Sequence, residues 1–176
     1  MSFAPVFPWA EGLPKAAHLL RKGGVVAFPT ETYYGLAADP RNEEALRRIL
    51  AIKRRDDAMQ LPLVCGHESD IEKLGVPLPE VVHAFLRSGW PTAFSVILEA
   101  PPGFPALFRD SIAVRVTPHP VAAHLIRLSG FPVTATSANR HGEPPAADAL
   151  SCAHLEVDLV LDGGPTPGGR PSTLAR

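Results

Sequence analysis

VVAFPTETYYGL, residues 25–36, decides the fold class, because an apolar, β-branched run there gives way at once to a polar turn. VVAFP (25–29) has the make-up of a buried strand, with Gly23-Gly24 before it and Thr30, Glu31 and Thr32 after it. Open α/β sheets place ligands at such strand ends. Threonine hydroxyls there can donate to and accept from an amino acid or a phosphate. The plainer reading is an ordinary strand-to-helix turn with Tyr34 packed on the core, and on residue types alone the two stand level.

Outward from this stretch, strand and helix patterns intermix. LPKAAHLLRKGG (13–24) reads as a helix with Pro14 in its first turn and the glycine pair ending it. Asn42 is placed to cap a helix through Glu43, Glu44, Ala45, Leu46, Ile49 and Leu50, with Lys53, Arg54 and Arg55 at its exposed end. PEVVHAFLRSG (79–89) reads as a helix with Gly89 at its C-terminal cap, and HPVAAHLIRLSG (119–130) reads as a helix. LPLVC (61–65), AFSVILE (93–99), IAVRV (112–116), PVTAT (132–136) and VDLVLDGG (157–164) read as strands. The strands at 93–99 and 112–116 have no helix between them. The pattern therefore predicts an α/β (α+β-like) fold: a twisted mixed sheet with helices packed on it, rather than a purely parallel one.

The length of 176 residues suits a single domain over 1–176, with no repeat and no linker. With 45% hydrophobic and 20% charged residues the chain is globular, not disordered. Cys65 and Cys152 cannot make a disulfide framework, and so few cysteines suit a reducing, cytoplasmic setting. No apolar run approaches the roughly 20 residues of a membrane span, and the N-terminus does not read as a signal peptide. A formal net charge of −1 argues against a general nucleic-acid coat protein while leaving local basic patches open.

Four further segments carry chemistry. In KRR (53–55), three cations at a helix end are either a dipole-compensating terminus or an anion site; thirteen arginines against four lysines favour forked anion recognition. Arg115, in the apolar strand IAVRV, needs an anionic partner or a cavity, because a buried unpaired guanidinium is too costly. In TATSANRHG (134–142), Ser137 and Asn139 stand just past a strand, either to read a nucleotide or to close a local turn. DGGPTPGGRPSTL (162–174) is a Gly-rich turn that permits close backbone approach, but it is not a P-loop, and no GxGxxG occurs. The seven histidines show no metal-binding spacing, and no GxSxG elbow supports a hydrolase triad. No metal site and no protein nucleophile or base is assigned.

Taken together, these segments resemble the YrdC-like family, the threonylcarbamoyl-AMP synthases, in their single-domain form. The resemblance rests on PTETYYGL (29–36), KRR (53–55), PLV (62–64), WP (90–91), AVR (113–115), SAN (137–139), DGG (162–164) and ST (172–173), collinear in the chain. It implies a deep, positively lined cavity. It implies a nucleotidyltransferase reaction in which L-threonine, bicarbonate or CO2, and ATP give threonylcarbamoyl-AMP and pyrophosphate. The product would supply N6-threonylcarbamoyladenosine at position 37 of tRNA through a separate threonylcarbamoyltransferase complex. By position, the resemblance assigns L-threonine to Thr32, Tyr34, Arg115, Ala135 and Ser172, and ATP to Lys53, Arg55, Ser111, Ser137 and Asn139. It leaves Mg2+ to be held mainly by the ATP phosphates.

The chain departs from the family pattern at DDAMQL (56–61), at Gly66-His67, at WPTAFS (90–95), at RVTPHP (115–120) and at Pro145. The family's extension after Ser-Thr, with its later arginine, is expected to be absent unless Arg170 or Arg176 substitutes. The alternative reading is a non-catalytic YrdC-like protein that binds tRNA or double-stranded RNA. A third, a carbamoyltransferase module acting on another carbamoyl-adenylate, would normally sit in a longer chain.

Overall fold

The computed structural model describes residues 3–54, 61–76, 78, 80, 83–84, 94–169 and 173–175. The strands are β1 (Val6–Pro8), β2 (Val26–Phe28), β3 (Gly35–Ala37), β4 (Leu63–Cys65), β5 (Phe94–Glu99), β6 (Ser111–Val116), β7 (Val133–Thr134), β8 (Thr136–Ser137), β9 (Leu159–Asp162) and β10 (Thr173–Ala175). The helices are α1 (Trp9–Arg21), α2 (Glu43–Lys53) and α3 (Pro120–Ser129). The mixed sheet of the sequence reading is divided into two five-stranded sheets, ordered β1-β9-β2-β3-β8 and β10-β5-β6-β4-β7. Each joins parallel pairs, such as β2 with β9 and β4 with β6, to antiparallel ones, such as β2 with β3 and β5 with β6.

Side-chain alternation feeds two cores. Val25 and Ala27 turn to one, with Leu63, Cys65 and Val114 and with Leu46 and Ile49 of α2. Val26 and Phe28 turn to the other, with Val64 and Val133 and with Leu13 and Leu20 of α1 and Leu125 and Ile126 of α3. That alternation is the period of two of a strand covered on both faces.

Local signals explain the helix ends. The Asn42 side chain accepts from Ala45 N at 3.0 Å, capping α2. Gly23 is required beside it: its φ is +81°, and a Cβ there would lie 2.6 Å from the Asn42 amide nitrogen. Gly130 ends α3 in the left-handed conformation, one residue past Ser129. Asp158 ties α2 to the first sheet, accepting from Val25 N at 2.7 Å and from Arg48 at 2.8 and 3.0 Å.

Three expectations change. Helix α1 begins at Trp9, so Pro14 lies within it rather than in the first turn; burial of Gly12 and Leu13 holds the helix together upstream of the proline. PVTAT is not one strand. Val133–Thr134 pairs with β4 in the second sheet and Thr136–Ser137 with β3 in the first, so the chain crosses between sheets at Ala135. Strands β1 and β3 were not read from the sequence. The expected helix at 79–89 lies largely outside the described residues, although 80, 83 and 84 are helical.

Candidate active site

The crossing at Ala135 lines a cavity of about 210 Å3. Thr30, Thr32, Tyr33, Tyr34 and Gly35 come to it from the end of β2 and the start of β3, Pro62 and Arg115 from the second sheet, and Ala135, Thr136 and Ser137 from the crossing itself. A second cavity, of about 470 Å3, shares Pro145 with the first and is bordered by Asn139, Glu143, Asp148, Ser151 and His154.

The Thr30 hydroxyl shapes the first wall. It donates to Tyr33 O at 2.6 Å and accepts from Thr32 N at 3.2 Å, turning the chain so that Thr32 meets the cavity. Tyr34 is fully buried. Its hydroxyl donates to Gly164 O at 2.8 Å and accepts from Gly163 N at 3.3 Å. Burial pushes its pKa up to about 12, against the Gly163 hydrogen bond, so the phenol stays neutral.

Arg115 meets both needs that its strand raised. It lines the cavity, and its Nε lies 3.1 Å from Glu31 Oε1, with the two side chains 6% and 11% exposed. The contact is Coulombic: neither of these two atoms has an aligned hydrogen bond. The other Glu31 oxygen accepts from the Thr117 hydroxyl at 2.7 Å, and that hydroxyl accepts from His119 N at 3.1 Å. Burial draws the Arg115 pKa down while Glu31 opposes it; a guanidinium remains charged at any ordinary pH. Burial likewise lowers the His119 pKa, against the attraction of Glu31.

Lys53 corrects the picture of an exposed helix end. It is 2% exposed. Its Nζ donates to Ser137 O at 2.6 Å, Asn139 Oδ1 at 3.1 Å, Asn139 O at 3.2 Å and Ser137 Oγ at 3.4 Å. The Ser137 hydroxyl in turn donates to Asn139 Oδ1 at 2.6 Å. Helix α2 stops there because Arg54 takes a left-handed φ of 51°. Lys53, Ser137 and Asn139 thus form one cluster, on the segment that leaves the cavity.

The remaining candidates fall differently. Ala135 lines the cavity, with its N–H committed to Pro62 O at 2.9 Å, so its carbonyl is the group it can offer a ligand. Ser111 opens β6, four residues before Arg115 and so roughly 13 Å along the strand; it does not line this cavity. Arg55 and Ser172 lie outside the described residues. Glu31, read only as part of the polar stretch 30–32 at a ligand-facing strand end, pairs with Arg115, and Tyr33, with no role read from PTETYYGL, lines the cavity. Among the described residues, no group of three or more His, Cys, Asp or Glu side chains is placed to hold a metal ion.

A family model described as "Telomere recombination", covering the Sua5, YciO and YrdC proteins, matches residues 18–176. This chain belongs to the Sua5/YciO/YrdC family. The resemblance drawn from the eight collinear segments is thereby borne out. The chain is 39% identical over 162 residues to a threonylcarbamoyl-AMP synthase of Methylobacillus flagellatus, covering 89% of this chain and 90% of that one. It is 45% identical over 144 residues to the synthase of Methylococcus capsulatus, covering 78% and 77%. Among solved structures, Pyrococcus abyssi Sua5 complexed with L-threonine matches with a TM-score of 0.86 at 31% identity, over 99% of this chain and 53% of that one. This chain therefore spans about half of that Sua5 chain. Escherichia coli YciO matches with a TM-score of 0.82 at 27% identity, over 99% and 89%. The mixed α/β fold of the sequence reading is that of these family structures.

Proposed function

We propose that this protein is a threonylcarbamoyl-AMP synthase, forming threonylcarbamoyl-AMP and pyrophosphate from L-threonine, bicarbonate or CO2, and ATP. The observation that carries the reading is one cavity that gathers Thr32, Tyr34, Arg115, Ala135 and Ser137, in a chain 39% and 45% identical to proteins of that name.

The chemistry asks for positioning rather than for a nucleophile. Arg115, held by Glu31, takes the threonine carboxylate, and Thr32 and the Ala135 carbonyl orient the amino acid. The amine then faces the carbon source, and the resulting carbamate attacks the α-phosphate in line. The Lys53–Ser137–Asn139 cluster borders the second cavity through Asn139, and the nucleotide extends that way. Arg55 neutralises charge gathering on the departing pyrophosphate, and the buried Lys53 adds its charge from behind Ser137 and Asn139, which it holds. Ser111 and Ser172 keep the ATP and threonine roles implied by the resemblance. Mg2+ would be held mainly by the ATP phosphates and would supply charge neutralisation there, with the Ser137 and Asn139 oxygens already engaged by Lys53.

The product supplies the threonylcarbamoyl group for tRNA modification through a separate transferase complex, and the cytoplasm is the setting of that step. No helix among the described residues is long and apolar enough to cross a membrane. The reading of a non-catalytic tRNA- or double-stranded-RNA-binding protein is not favoured by relatives that carry the synthase name. Pyrophosphate release is the test. It should require both L-threonine and bicarbonate, and equal release without the amino acid would refute the proposal.

A further inference from the structure

We infer that Tyr33 is a positioning residue that latches the glycine strap Gly163–Gly169 beside the cavity and so holds L-threonine in place. The inference rests on the threonine site proposed above.

The strap follows β9 and carries no helix or strand of its own. Its sequence is Gly-Gly-Pro-Thr-Pro-Gly-Gly, a stiff Pro-Thr-Pro centre between two glycine pairs. Gly164, Gly168 and Gly169 have φ of +84°, +71° and +106°, a region glycine enters freely. Each end is therefore a hinge.

Both hinges are tied to the stretch 32–34, which also lines the cavity. At the first, the buried Tyr34 hydroxyl bridges Gly163 N and Gly164 O. The centre is fastened by Thr166, whose N–H and hydroxyl donate to Ala147 O at 2.8 and 3.1 Å. At the second hinge, Gly168 N donates to Thr32 O at 2.8 Å and Gly169 N to the Tyr33 hydroxyl at 3.3 Å. A Cβ on Gly168 would touch the Tyr33 ring at 3.5 Å, so the strap passes against that ring at Gly168.

The two ends are unequal. Tyr34 is fully buried and also donates to Gly164 O at 2.8 Å, whereas Tyr33 is half-buried and its bond to the strap is exposed. The Tyr33 end opens first. Opening there loosens the backbone of Thr32 through Gly168, and Thr32 is the residue proposed to orient the amino acid. Tyr33 thus acts on the substrate through its neighbours: the ring is cavity wall and the hydroxyl is latch.

Two variants of the full chain test this. Tyr33→Phe keeps the wall and removes the latch acceptor. Gly168→Ala keeps Tyr33 but opposes the left-handed φ. Calorimetric titration with L-threonine and with ATP is combined with amide hydrogen exchange over 163–169. Each variant should weaken L-threonine binding three- to tenfold, the loss of about one modest hydrogen bond. ATP affinity should hold in both variants and melting temperature in Tyr33→Phe, while Gly168→Ala should melt a few degrees lower for its strained φ, and exchange at Gly168–Gly169 should quicken. In the unaltered protein, L-threonine should slow that exchange. Faster exchange with unchanged threonine affinity would overturn the inference, as would an equal loss for both ligands or unchanged exchange. If the unaltered protein binds no L-threonine, the proposed function itself fails; if it binds and Tyr33→Phe binds equally well, the latch alone fails.

Discussion

Arg115 and Glu31 are coupled, and a double-mutant cycle measures the coupling. The two atoms lie 3.1 Å apart on side chains 6% and 11% exposed, so solvent screens them little. Replacing Arg115 by Ala leaves Glu31 buried beside the Thr117 hydroxyl alone. Replacing Glu31 by Ala leaves a buried guanidinium with no anion among the described residues. Breaking a buried pair from one side costs about 3–5 kcal/mol. In a domain of this size that lowers the melting temperature by roughly 2–4 °C per kcal/mol. The double mutant Arg115→Ala/Glu31→Ala removes both charges and should be more stable than the two single losses added, by about 1–3 kcal/mol. Denaturant unfolding of the four proteins gives the coupling directly. Strict additivity would refute the pair. Arg115→Lys keeps the charge and loses the fork. Because Arg115 both pairs with Glu31 and lines the cavity, this change should lower the melting temperature and also raise the L-threonine requirement above any change for ATP. A destabilised protein with unaltered threonine saturation would remove Arg115 from the binding role.

The other predictions are brief. Lys53→Ala should destabilise the fold by about 1.5–3 kcal/mol for a lost charged hydrogen bond as well as weaken ATP binding; urea titration beside calorimetry reads both. His119 has a folded pKa below the ordinary value. The unfolded chain therefore binds its proton more readily, and this stability is complete above about 6.5 and declines as pH falls through the lowered folded value. Melting temperature against pH should show a drop below about 6.5 that His119→Gln reduces. Asn42→Ala should cost about 1 kcal/mol of stability through loss of the α2 cap, with an unchanged denaturant slope.

Local signals were legible in the sequence because they act within a few residues. Asn42 caps α2 through a bond to Ala45, three positions on. The apolar runs at 26–28, 63–65 and 112–116 are strands because side chains alternate to two covered faces. The order of PTETYYGL, AVR and SAN pointed to the family, and Thr32, Arg115, Ala135 and Ser137 do meet in one cavity.

What the sequence did not carry was decided by partners far along the chain. Thr134 and Thr136 look alike in PVTAT, yet one pairs with β4 and the other with β3, so the crossing at Ala135 exists only once both sheets are in place. The anion for Arg115 came from the turn after β2, residue 31, not from a neighbouring strand. Lys53 reads as a solvated helix end, but residues 137 and 139 bring carbonyl and side-chain oxygens onto its ammonium and bury it. A local pattern reports which face of an element is apolar. Only the packed fold brings donors and acceptors from distant segments within 3 Å or so of one another, and the burial energy of the whole chain holds those polar groups together.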